Sequence, residues 1–208
     1  MNTILDNNQK TLMTYTRESV KSYVKNNKNR LPQEVEWVKR SFMNLPKNAK
    51  MFEIGSGDGC FAKMINSLGY NIQVSDAPDA FIEHLSDIGL DPIKFNWMTD
   101  EFPKTYDYIL AHAVLVHFSH DEVKLLLKKT FDALRGGGRF VFSVKKGEGE
   151  GWVDNYLGVE RYFSYWSADD IEQATREAGF SEVELDYIEG NHGNNFFMVI
   201  AKKTEGAI

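Results

Sequence analysis

The chain has 208 residues, 42% hydrophobic and 26% charged, long enough to bury one substantial core. Its net charge of −6 argues against broad affinity for nucleic acid or an anionic membrane surface. A lone Cys60 excludes an intrachain disulfide and a multi-cysteine metal site, and no apolar run nears the roughly 18 residues of a membrane span, so the expectation is a cytoplasmic protein without DNA or membrane partners.

Residues 1–48 are polar with scattered aromatics, and "VEWVKRSFMNL" spaces Val35, Val38, Phe42 and Leu45 as one face of a helix that stops before Pro46. This part is expected to form a helical lid over a domain spanning 49–208. From residue 49 strands and helices alternate. "AKMFEIG" reads as a buried strand, "CFAKMINSLG" as a helix, "NIQVSD" as a second strand and "PDAFIEHLSDIG" as a helix started by Pro78. "DPIKFNW" and "YDYILAHAV" are the third and fourth strands. Ser119 and Glu122 then form a capping box before an apolar stripe running to Leu134, and "GGG" at 136–138 follows. "RFVFSVK" is the fifth strand. After a glycine- and aromatic-rich stretch without clear periodicity comes a helix capped by Ser167. Two last strands, "EVELDYIEG" and "NFFMVIAKK", have no helix between them and should pair antiparallel. The pattern predicts an α/β fold: a seven-stranded, mostly parallel, Rossmann-like sheet with an antiparallel final strand and helices on both faces.

In such a sheet ligands bind at the carboxyl ends of the strands, near the point where strand order reverses. There the chain reads "EIGSGDG". Glycines at 55, 57 and 59 permit positive φ and let a ligand approach bare backbone. The spacing is not the G-x-G-x-x-G of dinucleotide sites, and Asp58 inside the turn should repel a pyrophosphate. Glu53 at the strand end suits a ligand carrying an ammonium group. Asp76, ending the second strand, can accept hydrogen bonds from ribose hydroxyls or cap the helix that follows.

Taken together, "EIGSGDG", "VSDAP", "ALRGGGRFVFSV" and "REAGFSEVEL…FFMVIAKK" resemble the class I S-adenosylmethionine-dependent methyltransferases over residues 48–203, with Arg135 where those enzymes usually have proline. More narrowly, the chain is similar to small bacterial methyltransferase-domain proteins, some related to tellurite-resistance enzymes. The resemblance implies S-adenosyl-L-methionine as cofactor. It places Gly55, Ser56 and Gly57 at the methionine portion, with Glu53 anchoring the amino group indirectly. Asp76 falls at the ribose, Ala77 beside the adenine, and Ala111 and His112 at the end of the fourth strand. Asn96 stands where many relatives carry an acid facing the adenine amine, and Trp97 either flanks the ring or packs in the core.

Methyl transfer from a sulfonium needs alignment and desolvation more than a dedicated catalytic group. The Asn/Asp-Pro-Pro-aromatic motif of DNA amino-methylating enzymes is absent. Ala113, Val116 and His117 occupy a Glu-x-x-Glu-His metal motif of some relatives, so no metal is expected. His112 and His117 are the candidate bases, or local hydrogen-bonding groups. The stretch from Lys145 to Trp166 is the candidate acceptor loop, or a satellite core. In similar proteins its "K-x-G-x-G-E…R-Y-F-x-Y" pattern recurs. Trp152, Tyr156, Arg161 and Tyr162 from this stretch, with Tyr15 and Tyr23 from the lid, are expected to meet a small, flat or anionic acceptor. His120 and His192 are expected in solvent. Methylation of RNA or protein, a cofactor-binding module without turnover and a nucleotide-linked oxidoreductase are the competing readings.

Overall fold

The computed structural model describes residues 3–27, 30–154, 160–190 and 194–206; Tyr156 and His192 lie outside them. Three helices open the chain: α1 (Thr3–Met13), α2 (Arg17–Asn26) and α3 (Pro32–Phe42). Thr16 Oγ1 caps α2 by accepting from the Ser19 amide at 3.3 Å. Pro32 opens α3, and Glu34 reaches back to accept the Leu31 N–H at 3.1 Å. The helix expected over 35–45 therefore starts earlier, at its proline, and its apolar face is anchored: Val38 and Phe42 are fully buried.

The alternating part follows as β1 (Met51–Glu53), α4 (Cys60–Ser67), β2 (Ile72–Asp76), α5 (Asp79–Asp87), β3 (Ile93–Lys94), β4 (Tyr106–Ala111), α6 (His120–Ala133) and β5 (Leu134–Lys146). Strands β3, β2, β1, β4 and β5 lie side by side and parallel. Strand order turns back at the β1–β4 junction, where Glu53 pairs with Val74 on one side and Leu110 on the other. The capping box of α6 is present, with Ser119 Oγ accepting from the Glu122 amide and Glu122 Oε2 accepting from Ser119 N–H at 2.7 Å. After α7 (Ala168–Glu177), strand β8 (Glu182–Ile188) pairs antiparallel with β9 (Phe196–Lys202), and β9 runs antiparallel along β5.

Among the described residues the sheet has nine strands, the seven expected and two more. The aromatic stretch is a hairpin, β6 (Glu150–Asp154) and β7 (Glu160–Trp166), not an irregular loop. Strand β5 outruns β4. It pairs with β4 as far as Phe142–Ala111, and then, on the edge so vacated, with β7 at Lys145–Tyr165 and Lys146–Trp166. The hairpin thus arches over the carboxyl end of β4. Strand β7 is buried along nearly its whole length, so it lacks the period-two signature of a half-exposed strand.

Alternation along the central strands divides the core. Ile109, Phe140 and Phe142 face α6 and α7, while Tyr108, Leu110 and Val141 face α3 and α4. Both faces are covered, as a parallel sheet requires, and the carboxyl rim is left as the surface on which a site can be built.

Candidate active site

The turn after β1 is fixed by backbone and side-chain hydrogen bonds. Gly55, Gly57 and Gly59 take φ of 64°, 54° and 72°. Ser56 N–H donates to Ser75 O at 2.8 Å, and Ser56 Oγ accepts from the Ser75 amide at 3.2 Å. Ser56 is therefore a buried brace between two strands and does not line the cavity described below. A side chain at Gly55 would meet Val114, and one at Gly57 would reach Tyr23, so both glycines keep open a cradle that a Cβ would fill.

Two buried carboxylates sit under this cradle. Asp76 accepts from Gly57 N–H through Oδ2 and from Ala77 N–H through Oδ1, both at 2.9 Å. Each oxygen keeps a lone pair for a further donor. Burial raises its pKa to about 6 against the pull of those two amides. Glu53 is 3% exposed, and its Oε2 has no hydrogen-bond partner. Burial lifts its pKa to about 8, with Ser56 and Arg30 opposing and Asp58 and Asp76 adding to the rise. Glu53 lies behind the turn, not on the cavity surface.

These shifts set a pH dependence. Both folded pKa values exceed the unfolded ones, so the folded state retains protons that the unfolded chain has released. The stability this brings is present at low pH and lost as pH rises through about 6 and then 8. Glu53→Gln removes its share. The difference in unfolding free energy between the parent and this variant is expected to decline as pH rises from about 4.5 to about 8, by up to ~1.4 kcal/mol per pH unit, and to be level above that. Denaturant melts at several pH values read it, and a flat difference contradicts the assignment of Glu53 as a buried acid.

The N-terminal helices close over the turn. Arg30 donates from Nη2 to both oxygens of Asp58 at 2.9 Å, with side chains only 12% and 7% exposed, and its guanidinium packs over Phe61. Asp58, expected to repel a phosphate, is thus neutralised by a partner 28 positions away, and the repulsion argument falls. Neither Arg30 nor this pairing was foreseen. The signal was an arginine just before Pro32, close to the aromatic lid residues. Tyr23 and Tyr15 stand on Phe81 of α5 with ring centroids 5.5 and 5.2 Å away.

A cavity of about 630 Å³ runs along the rim, within the usual range of small-molecule sites. At one end it is lined by Gly55, Gly57, Asp76, Ala77 and Asn96, and at the other by Tyr15, His117, Lys145, Arg161 and Phe163. Among the sequence candidates, Tyr23, Trp97 and His112 also reach it. Ala111 is fully buried below it and does not line it. The Asn96 side-chain oxygen, expected to face an adenine amine, accepts the Met98 N–H at 3.1 Å, while its amide group donates to Asn8. Trp97 is 2% exposed and packs edge-on against Phe118 and Phe140, so the packing alternative describes most of its surface.

Trp152 and Tyr162 are not on the cavity wall. Strand alternation is the reason: Arg161 and Phe163 of β7 point into the cavity and Tyr162 away, and Trp152 pairs opposite Tyr162 on the same outer face. Read as a loop, the segment gave no means of separating the two sets.

The two histidines differ. His117 has its Nδ1 2.9 Å from the Tyr162 carbonyl, which can only accept, so Nδ1 carries the proton. Its Nε2 then accepts from the Tyr15 hydroxyl at 3.2 Å, and Tyr15 in turn accepts from Arg161 Nη1 at 2.7 Å. Burial, then the charge of Arg161, lowers the His117 pKa to about 3 despite the Tyr162 carbonyl. A neutral imidazole with both nitrogens engaged holds Tyr15 in place; it is not free to take a proton. His112 is 7% exposed by side chain, with Nε2 3.6 Å from Glu34 Oε1. Burial pushes the Glu34 carboxyl up, but the facing imidazole, Arg30 and the Leu31 N–H bring it net downward. Next along the chain, Ala113 adopts φ 56°, a left-handed conformation costing an alanine about 1–2 kcal/mol, and donates its N–H to Ser143 Oγ. His120 is not left to solvent: it packs on Trp166 at 4.4 Å and its Nε2 meets the Tyr165 carbonyl. Among the described residues no cluster of His, Cys, Asp or Glu is placed to hold a metal.

Comparisons with known proteins give the family and the fold. A family model described as a methyltransferase domain matches residues 23–185. No curated protein matches the chain by sequence. Among solved structures, the DhpI–S-adenosylhomocysteine complex superposes with a TM-score of 0.73 at 15% identity, covering 95% of this chain and 97% of that one. A SAM-dependent methyltransferase of Methanosarcina mazei gives 0.68 at 16% identity, over 85% and 99% of the two chains. The Burkholderia thailandensis 1,6-didemethyltoxoflavin-N1-methyltransferase, with 1,6-didemethyltoxoflavin and S-adenosylhomocysteine bound, gives 0.66 at 19% identity, over 82% and 77%. With most of its length matched by the family model, the chain belongs to the methyltransferase-domain family.

Proposed function

We propose that this protein transfers a methyl group from S-adenosylmethionine to a small-molecule acceptor held beneath the N-terminal helices. The observation carrying this reading is a cavity that joins the glycine cradle and Asp76 to the Tyr15–His117–Arg161 cluster. The residues present fit the cofactor. Gly55 and Gly57 leave backbone bare for the methionine portion, and the buried, unpartnered Glu53 oxygen lies behind it as a negative pole for an amino group. Asp76 holds spare lone pairs for the ribose hydroxyls, and Ala77 and Asn96 stand beside the place of the base.

When bound, the sulfonium supplies an already activated methyl group for in-line displacement. The protein's part is to align the acceptor and exclude water. Phe81, Phe163 and Val114 wall the cavity with apolar surface, and Arg161 fixes Tyr15 above it. His117 positions Tyr15. Where the acceptor must lose a proton, His112, with Glu34 Oε1 3.6 Å from its Nε2, is the remaining imidazole on the cavity wall. An acceptor that presents a free lone pair needs neither.

Asp76→Ala is expected to weaken S-adenosylhomocysteine binding by about 1–3 kcal/mol, roughly fivefold to 150-fold, through loss of charge-assisted hydrogen bonds. Calorimetry on the folded variant measures it, and unchanged affinity would remove Asp76 from the cofactor site.

A further inference from the structure

The acceptor end of the cavity holds two cations with no counter-anion among the described residues. Arg161 on β7 is 4% exposed. Its Nη1 donates to the neutral Tyr15 hydroxyl, and its Nε is buried with no acceptor. Its guanidinium lies 5.4 Å from the Tyr15 ring and 5.5 Å from the Phe163 ring. Lys145 on β5 donates to the amide oxygen of Asn194 at 3.1 Å and sits 4.3 Å from the same Phe163 ring. Burial, then the neighbouring Arg161 charge, holds its ammonium below the usual lysine range. Neither residue takes part in any ion pair among the described residues.

A buried cation without a partner costs several kcal/mol, and a second one beside it adds repulsion. Ring faces and neutral acceptors offset part of this. Arg30 shows how the fold treats a buried arginine elsewhere: it is given Asp58. We propose that the missing partner is the acceptor itself, a small molecule whose oxyanion, carboxylate or phosphate, seats between Arg161 and Lys145. The buried Arg161 Nε offers that anion a charge-assisted hydrogen bond. The cofactor's own carboxylate is the other anion to consider. Strand order places the glycine turn and Asp76 after β1 and β2, whereas the two cations lie past β4, and the arginine at the glycine turn is Arg30.

This inference rests on the methyl-transfer reading for the word acceptor, and its test separates the two. The full chain, with and without S-adenosylhomocysteine, is titrated calorimetrically with benzoate, with inorganic phosphate and with neutral benzamide. One or both anions are expected to bind one-to-one, at least about tenfold more tightly than benzamide, and their ranking tells carboxylate from phosphate. Arg161→Gln and Lys145→Met should each weaken the preferred anion about tenfold while leaving S-adenosylhomocysteine affinity within about twofold. Arg161→Lys keeps the charge but not the Nε donor, so its anion affinity should fall between those of the parent and Arg161→Gln. Failure of both anions at millimolar concentration, equal binding of benzamide, or undiminished binding in the variants overturns the inference. Loss of S-adenosylhomocysteine in the variants also overturns it, because the cations would then hold the cofactor. If the parent chain binds anions but no S-adenosylhomocysteine, the methyl-transfer reading fails instead.

Discussion

Asp58→Ala is expected to destabilise the protein by about 3–5 kcal/mol, the usual loss when one partner of a buried ion pair is removed. Arg30 would be left almost fully buried with its Asp58 partner gone, and the Cys60 N–H at the start of α4 would lose its acceptor at 3.1 Å. For a chain of this size that corresponds to a fall of roughly 6–20 °C in melting temperature. Part of the loss has an escape: α2 and the segment bearing Arg30 can lift from the rim and return the guanidinium to water, a local opening cheaper than global unfolding. The expected signature is faster amide hydrogen exchange in α2 and around Arg30, with β1, β4 and β5 still protected. The double change Arg30→Met with Asp58→Leu should recover much of the stability, since it leaves no lone charge behind. A melting temperature unchanged by Asp58→Ala contradicts the pair's role as the clasp between the N-terminal helices and the glycine turn.

Gly55→Ala is expected to cost about 2–5 kcal/mol. The left-handed φ of 64° accounts for about 1–2 kcal/mol of this. The new Cβ would stand 2.5 Å from Val114 Cγ2, and overpacking of that kind adds about 1–3 kcal/mol. Valine is stiff at χ1 and cannot swing aside easily. Val114→Ala in the same chain should return the contact share and leave the conformational share. Gly57→Ala is the comparison: its Cβ would meet Tyr23 Cε1 at an ordinary 3.5 Å, so its stability loss should be the smaller one, although the methyl group intrudes on the cradle. Denaturant unfolding ranks the three variants. Equal losses for Gly55→Ala and Gly57→Ala would contradict the contact with Val114.

What the sequence disclosed and what it withheld have physical causes. The central strands and helices were legible because each has one strong local signal: the Ser119–Glu122 box, the apolar stripe of α6, the glycine turn, Pro78 before α5. Glycines 55 and 57 and Asp76 could be placed because the turn and the strand end dictate their position. The hairpin β6–β7 was illegible because β7 is buried on both faces and shows no alternation. With the hairpin went the side assignment of Arg161 against Tyr162. The Arg30–Asp58 and Tyr15–His117–Arg161 contacts join residues 28 to 146 positions apart, and no local pattern encodes such pairs. His117 shows the consequence. Residue type alone makes it a base; the carbonyl, the hydroxyl and the arginine around it make it a neutral strut.

The central claim is that the cavity holds S-adenosylmethionine at its glycine and Asp76 end and the acceptor at its Arg161 and Lys145 end. A crystal structure with S-adenosylhomocysteine tests it most directly. The account predicts the ribose hydroxyls on Asp76, the purine beside Ala77, and the amino-acid tail along Gly55 and Gly57. A ligand lying the other way, with its carboxylate on Arg161 and its purine away from Asp76, would contradict it.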